Sequence, residues 1–252
     1  MKENKVRRIA LVQLNVTSDV WWKGKARGES AQARRRRILR VIQSSLEVAC
    51  DGGADLAVFP ECFPFRSPRS ALPIEDALAL LRSINSIPFI AGGYVRDGNL
   101  RPRNAVWLVD HGKRAQLPYF KQVPWDERIE VGTIPVVWSL GETKISPLIC
   151  ADVFGGTNEG TDRAGAGLKA RLADIRALEP DLVVVPSYGG GVHRKRWQSH
   201  LRLCSQRLHA PVAFCNIAEW DGDFGGGGSA MYGPNGSRTQ HRTEPGINVY
   251  TL

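Results

Sequence analysis

At 252 residues, 42% of them apolar, the chain can bury a substantial core and suits a single α/β domain over residues 1–252. Its formal charge of +9, from 34 Lys and Arg against 25 Asp and Glu, attracts anions in general and specifies none. No apolar run reaches the roughly 18 residues that span a bilayer, and the five cysteines, odd in number and without short repeated spacings, argue against a disulfide framework or a zinc site.

Lys2, Lys5, Arg7 and Arg8 precede Ile9-Ala10-Leu11-Val12, which superficially suggests a secretory leader. Gln13 and Asn15 break the apolar stretch, however, and no small-x-small cleavage site follows. The segment Ile9–Leu14 reads as a first strand, and the protein is expected in the cytoplasm. Arg34-Arg35-Arg36-Arg37 then sits in a helix over 31–52, with Ile38, Val41, Ile42, Leu46 and Ala49 at helical spacing. The arginines form its solvated side. No aromatic residues interleave with them, as a single-strand nucleic-acid platform requires, so nucleic acid is not the expected partner.

Further strands are expected at Leu56–Phe59, Phe89–Tyr94, Ala105–Asp110, Val136–Trp138, Lys144–Cys150, Leu182–Pro186 and Val212–Asn216, with helices near 74–86, 166–178 and 194–209. A last pair, Gly228–Tyr232 and Ile247–Thr251, reads as a hairpin through Pro234-Asn235-Gly236. Direct strand–strand steps among the helices imply a layered α/β fold rather than pure βαβ winding. Asp221–Gly228 is glycine-rich but lacks the Lys-Ser/Thr of a phosphate loop, and reads as a surface loop near the mouth of a site.

Three segments share one local design, in which an apolar strand ends in a reactive side chain: Leu56 to Glu61, Leu117 to Lys121, and Ile145 to Cys150. Strand ends in open α/β folds are where sites assemble, because the scaffold is rigid there while loops admit substrate. A carboxylate, an ammonium and a thiol at such ends supply a base, an electrostatic stabiliser and a nucleophile. Glu61 would take the thiol proton, and Lys121 would lower the thiol's pKa and, with the Ala151 N–H, receive the developing negative charge.

FPE at 59–61, YFK at 119–121 and LICAD at 148–152, in that order, resemble the three signature segments of the nitrilase superfamily of carbon–nitrogen hydrolases. VVVPS at 183–187, RWQSHLRLCSQRLHAPVAFCN at 196–216 and GGSAMYGPNGSR at 227–238 extend the likeness over nearly the whole chain. The resemblance implies a four-layer α-β-β-α sandwich that pairs with a second copy in a homodimer or larger assembly. It also implies Glu61 as general base, Lys121 as transition-state stabiliser and Cys150 as nucleophile, with no cofactor or metal. A second glutamate after the lysine is matched to Glu127, since Glu127-Arg128 followed by Gly132 is similar to the family's Glu-Arg…Gly arrangement; Glu130 is the alternative. Ala151 stands where the family usually carries an aromatic residue, Val153–Gly167 is unusually glycine-rich, and Arg207 occupies a position where a glutamate is usual.

Trp125, Ala151, Phe154 and Tyr188 are the candidate substrate-pocket residues, the three aromatics among them fitting pocket wall or core equally. Cys62, beside Glu61, reads as structural, as do Cys50, Cys204 and Cys215. Asp152 braces the loop after the nucleophile rather than taking part in chemistry. His193, His200 and His209 lack the compact spacing of a metal pair. The function expected is hydrolysis of a small amide, carbamoyl compound or nitrile. An amide-forming acyltransferase with the same triad and a non-catalytic basic binding protein are the competing readings.

Overall fold

The computed structural model describes residues 5–14, 31–65, 68, 71–110, 115–123, 129–154, 162–189, 194–218, 227–239 and 244–252. In chain order these form β1 (Arg8–Gln13), α1 (Ala31–Asp51), β2 (Leu56–Val58), β3 (Pro64–Phe65), β4 (Leu72–Pro73), α2 (Ile74–Arg82), β5 (Phe89–Arg96), β6 (Arg103–Val109), β7 (Tyr119–Phe120), β8 (Trp138–Leu140) and β9 (Thr143–Pro147). A short 3₁₀ turn (Cys150–Val153) follows, then α3 (Asp162–Ala177), β10 (Leu182–Pro186), α4 (Arg194–Leu208), β11 (Val212–Cys215), β12 (Ala230–Tyr232) and β13 (Gly246–Thr251).

The strands make two sheets. One runs β13-β1-β2-β5-β6-β7, with β3 and β4 also paired to β5; the other runs β12-β11-β10-β9-β8. Side chains alternate across a strand, and here the alternation separates two cores. Ala10, Val12, Ala57, Phe59, Phe89, Ala91 and Trp107 face Ile38, Ile42 and Leu46 of α1 and Leu80 and Leu81 of α2. Their neighbours Ile9, Leu11, Leu56, Val58, Ile90, Val106 and Leu108 face the second sheet, in a core that continues to Leu172 of α3 and to Trp197 and Leu201 of α4. Helix, sheet, sheet and helix therefore stack in four layers, as the alternating pattern of β1 and β2 requires. The Cys215 thiol crosses the interior to donate to the Val58 carbonyl at 3.0 Å. On α1 the apolar stripe is buried while Arg35, Arg36 and Arg40 are exposed.

The hairpin expected at the end of the sequence does not form as such. β12 pairs with β11 in the second sheet, whereas β13 pairs antiparallel with β1 in the first, with Val12 opposite Ile247. The Pro234-Asn235-Gly236 turn does reverse the chain, since Gly233 donates to Ser237 and Thr239 to Met231, but the return is short. The physical reason lies at β1, whose outer backbone groups would otherwise be an unpaired sheet edge.

Candidate active site

Each reactive side chain stands just past a strand, and the two sheets share the work. Glu61 follows β2 and Lys121 follows β7 on the first sheet, while Cys150 follows β9 on the second. Glycine makes one of these approaches possible. Gly132 donates its N–H to the Lys121 carbonyl at 2.9 Å, and a Cβ there would lie 2.7 Å from that of Phe120. Cys150 itself has φ +45°, a left-handed backbone that costs a non-glycine residue energy and persists where the surroundings over-determine it.

The structure brings Glu61 and Lys121 into direct contact. Lys121 Nζ lies 2.6 Å from Glu61 Oε1, each side chain 4% exposed. Asn104 Nδ2 donates to the same oxygen at 2.7 Å. Both donors thus fall on one carboxylate oxygen, Oε1. Cys150 is buried, and its sulfur feels the charges of both Glu61 and Lys121.

Asp152 ties the two sheets together beneath the site. Its Oδ2 accepts from Tyr119 Oη at 2.8 Å and from the Ile149 N–H at 2.9 Å; its Oδ1 accepts from the N–H groups of Gln122 and Val123. Arg171 of α3 donates to the Asp152 carbonyl and to the Gln122 side chain. The carboxylate thus fixes the Cys150 turn against the segment that carries Lys121. Asn216, after β11, bonds both backbone groups of Gly189 and so holds the chain just beyond Tyr188.

The remaining sequence candidates distribute as follows. Glu127 and Trp125 lie outside the described residues. Glu130 forms a charged hydrogen bond with Arg103, whose guanidinium also covers the Phe120 ring. Arg103 and Asn104 are adjacent on β6 and point to opposite faces, so Glu130 is directed away from Glu61. Tyr188 packs against the small cluster of Cys62, Tyr94 and Ile129. Ala151 is half-buried in the turn. The Phe154 ring is committed to α4, 4.4 Å from Trp197 and 5.0 Å from His200. Two polar groups at the site, Asn104 and Ser187, were not singled out by the sequence reading. An asparagine inside the apolar run RNAVWLV was a visible signal, because a buried amide requires partners; Ser187 offered none beyond closing VVVPS.

With this geometry in place, comparison with known proteins is informative. The profile of the carbon–nitrogen hydrolase family matches residues 8–250. The chain belongs to that family. No curated protein matches its sequence significantly. Among solved structures, a glutamate-to-glutamine mutant of the amidase from Nesterenkonia sp. AN1, bearing acrylamide added at its active-site cysteine, superposes with TM-score 0.77 at 21% identity, covering 98% of this chain and 93% of that one. An amidase from Nesterenkonia sp. gives TM-score 0.75 at 22% identity over 98% and 90% of the two chains. A cysteine-to-alanine mutant of the AN1 amidase in complex with butyramide gives 0.75 at 21%, over the same shares. The α-β-β-α sandwich is therefore that of the nitrilase superfamily, and the chain is a carbon–nitrogen hydrolase.

Electrostatics set how this hydrolase can use its thiols. Burial, and then the Glu61 carboxylate, push the Cys150 thiol up to about 12 from an ordinary 9.0; Lys121 pulls the other way without prevailing. Lys121 does lower the thiol's pKa, as expected, but burial and Glu61 outweigh it. Its ammonium is already paired with Glu61, and desolvation dominates a fully buried sulfur. Lys121 remains a cation despite burial, held above its ordinary value by Glu61, Cys150 and Asp152. Cys62 is likewise raised by burial and by Glu61. The resting site is thus a neutral thiol beside a buried ion pair. Among the described residues no group of three or more His, Cys, Asp or Glu could hold a metal ion, and no helix is long and apolar enough to cross a membrane.

Proposed function

We propose that this hydrolase cleaves the C–N bond of a small amide or carbamoyl compound through an acyl-thioester on Cys150, with nitriles reacting through the corresponding thioimidate. The observation that carries the reading is the 2.6 Å Glu61–Lys121 pair buried beside the Cys150 thiol. Glu61 takes the Sγ proton on its other oxygen, Oε2, as sulfur attacks the carbonyl carbon. The C=O electron pair moves onto oxygen, where Lys121 Nζ and the Ala151 N–H receive the charge. Collapse breaks the C–N bond, and Glu61 returns the proton to the departing nitrogen. Glu61 then removes a proton from water as its oxygen attacks the thioester; the C–S bond breaks and the thiol is re-formed.

Asn104 keeps Glu61 aligned throughout by holding Oε1. By resemblance we assign Glu127 to positioning the site, and Trp125, Ala151 and Tyr188 to the pocket wall, with Phe154 supporting that wall from the side of α4. Because the first sheet supplies the acid–base pair and the second the sulfur, we infer that residues 1–252 act as one catalytic domain. Adducts at the cysteine of the Nesterenkonia amidase, with acrylamide and with the acetamide moiety of fluoroacetamide, support small amides as the first class to try.

The test is ammonia release from acetamide, propionamide, a carbamoylated amine and a simple nitrile. Cys150→Ser, Glu61→Gln and Lys121→Ala are each expected to lose at least about 10²-fold in kcat/KM while circular dichroism is unchanged. Turnover that survived Cys150→Ser would overturn the covalent reading. Trapping with hydroxylamine separates hydrolysis from transfer of the acyl group to an amine.

A further inference from the structure

The register between two parallel strands sets one more residue beside the nucleophile. Val184 of β10 is opposite Pro147 of β9, and Leu148 donates to the Val184 carbonyl at 2.9 Å. Three residues beyond each partner come Ser187 and Cys150, so the two occupy matching places at neighbouring strand ends. The backbone of Ser187 is fixed on both sides. Its N–H donates to the Cys215 carbonyl at 2.8 Å, and its carbonyl accepts from the Glu61 N–H at 3.3 Å. The residue therefore ties the strand end that carries the acid–base group to β11, at a place level with Cys150 on the neighbouring β9.

Its side chain is 0% exposed, yet among the described residues Oγ makes no hydrogen bond. A buried hydroxyl without a partner is costly, and native proteins rarely retain one without use. The resting thiol, within its reach, is a weak acceptor and engages it only loosely. A thiolate is a strong one, and charge-assisted hydrogen bonds are roughly twice as strong as neutral ones.

We propose that the Ser187 hydroxyl is a catalytic hydrogen-bond donor, making no full hydrogen bond in the resting site, that closes on the Cys150 sulfur as it becomes anionic, during attack and again when it leaves the thioester. The assignment rests on the reading of Cys150 as nucleophile. It matches the direction of the electrostatics, in which Ser187 and the Tyr188 N–H both favour the charged sulfur. The hydroxyl thus supplies what Lys121, already paired with Glu61, gives only in part. Among the described residues, the other titratable groups that face this sulfur are Glu61, Cys62, Tyr94 and Lys121, and a Ser187 substitution leaves all four in place.

The experiment follows iodoacetamide labelling of Cys150 by peptide mass spectrometry against pH, alongside acetamide turnover. In Ser187→Ala the labelling profile should move to higher pH, making labelling roughly three- to tenfold slower at a fixed pH, because a lost donor raises the thiol pKa while the freer thiolate is somewhat more nucleophilic. kcat for acetamide should fall about tenfold with KM little changed, and thermal stability should hold or rise, since a hydroxyl without a full hydrogen bond has been removed from the interior. Ser187→Thr should restore the profile. Ser205→Ala, which truncates a buried hydroxyl in α4 bonded to the Arg202 carbonyl, should label as the parent does. A Ser187→Ala profile superimposed on the parent's, or a Ser205→Ala shift of the same size, would overturn the assignment. Neither outcome touches the nucleophile itself, which is tested separately by loss of turnover in Cys150→Ser.

Discussion

Asn104, outside the proposed reactive trio, holds the carboxylate at its centre. Its amide and the Lys121 ammonium converge on one oxygen of Glu61, so any proton the carboxylate accepts goes to the other. Hydrogen bonds to charged groups contribute about 1.5–3 kcal/mol. Asn104→Leu, of similar size, should therefore lower kcat/KM roughly 10- to 100-fold while cysteine labelling persists, and an unchanged kcat/KM would remove Asn104 from the mechanism. At this scale the sequence was partly legible. Glu61, Lys121 and Cys150 stood out because each closes an apolar run, and a charged or reactive group at a buried strand end needs a reason. Ser187 did not stand out, because its importance comes from the register of β10 on β9, which no local pattern records. The thiol's high pKa was also illegible: it depends on depth of burial, which outweighs the nearby cation.

Between elements, the decisive connection is Asp152. It accepts four hydrogen bonds, from Tyr119, Ile149, Gln122 and Val123, and so clamps the turn after β9 to the extension of β7. Asp152→Asn keeps the shape but points an NH₂ group at donors. Urea unfolding should show a loss of about 2–3 kcal/mol, as expected when buried donors are left unpaired, and kcat should fall with it as Lys121 and Cys150 lose their common anchor. Equal stability in parent and variant would mean that the clamp carries no load. Element identity was largely readable from periodicity, since the strands around Glu61 and Cys150 and the helix after the arginine run fall where their patterns place them. The final pair of strands was misjudged because a turn signature fixes where the chain reverses and not which sheet receives the strand that follows. That choice was made by the open edge of β1, a non-local need.

For the molecule as a whole, the buried thiols make alkali the weak side. Cys150 and Cys204 are each pushed up to about 12 by burial, and Cys62 and Cys215 are also raised. Between pH 9 and 12 the unfolded chain releases these protons while the folded chain retains them, so the folded state binds more protons and stability falls as pH rises. Lys121, also raised, adds in the same direction. Each thiol contributes about 1.4 kcal/mol per pH unit within that window. The urea midpoint should be near its highest at or below pH 8 and drop steeply by pH 10–11; a midpoint that held constant to pH 11 would contradict the burial of these groups. The division of labour between the sheets has a last consequence. The carboxylate and ammonium ride on one layer and the sulfur on the other, so on the proposed mechanism turnover reports how the two layers are seated. A relative slip of about 1 Å, invisible to a spectrum of helix and strand content, is enough to cost about 10²-fold in rate. Under mild pressure or low denaturant the enzyme should fall silent while its secondary structure is still intact.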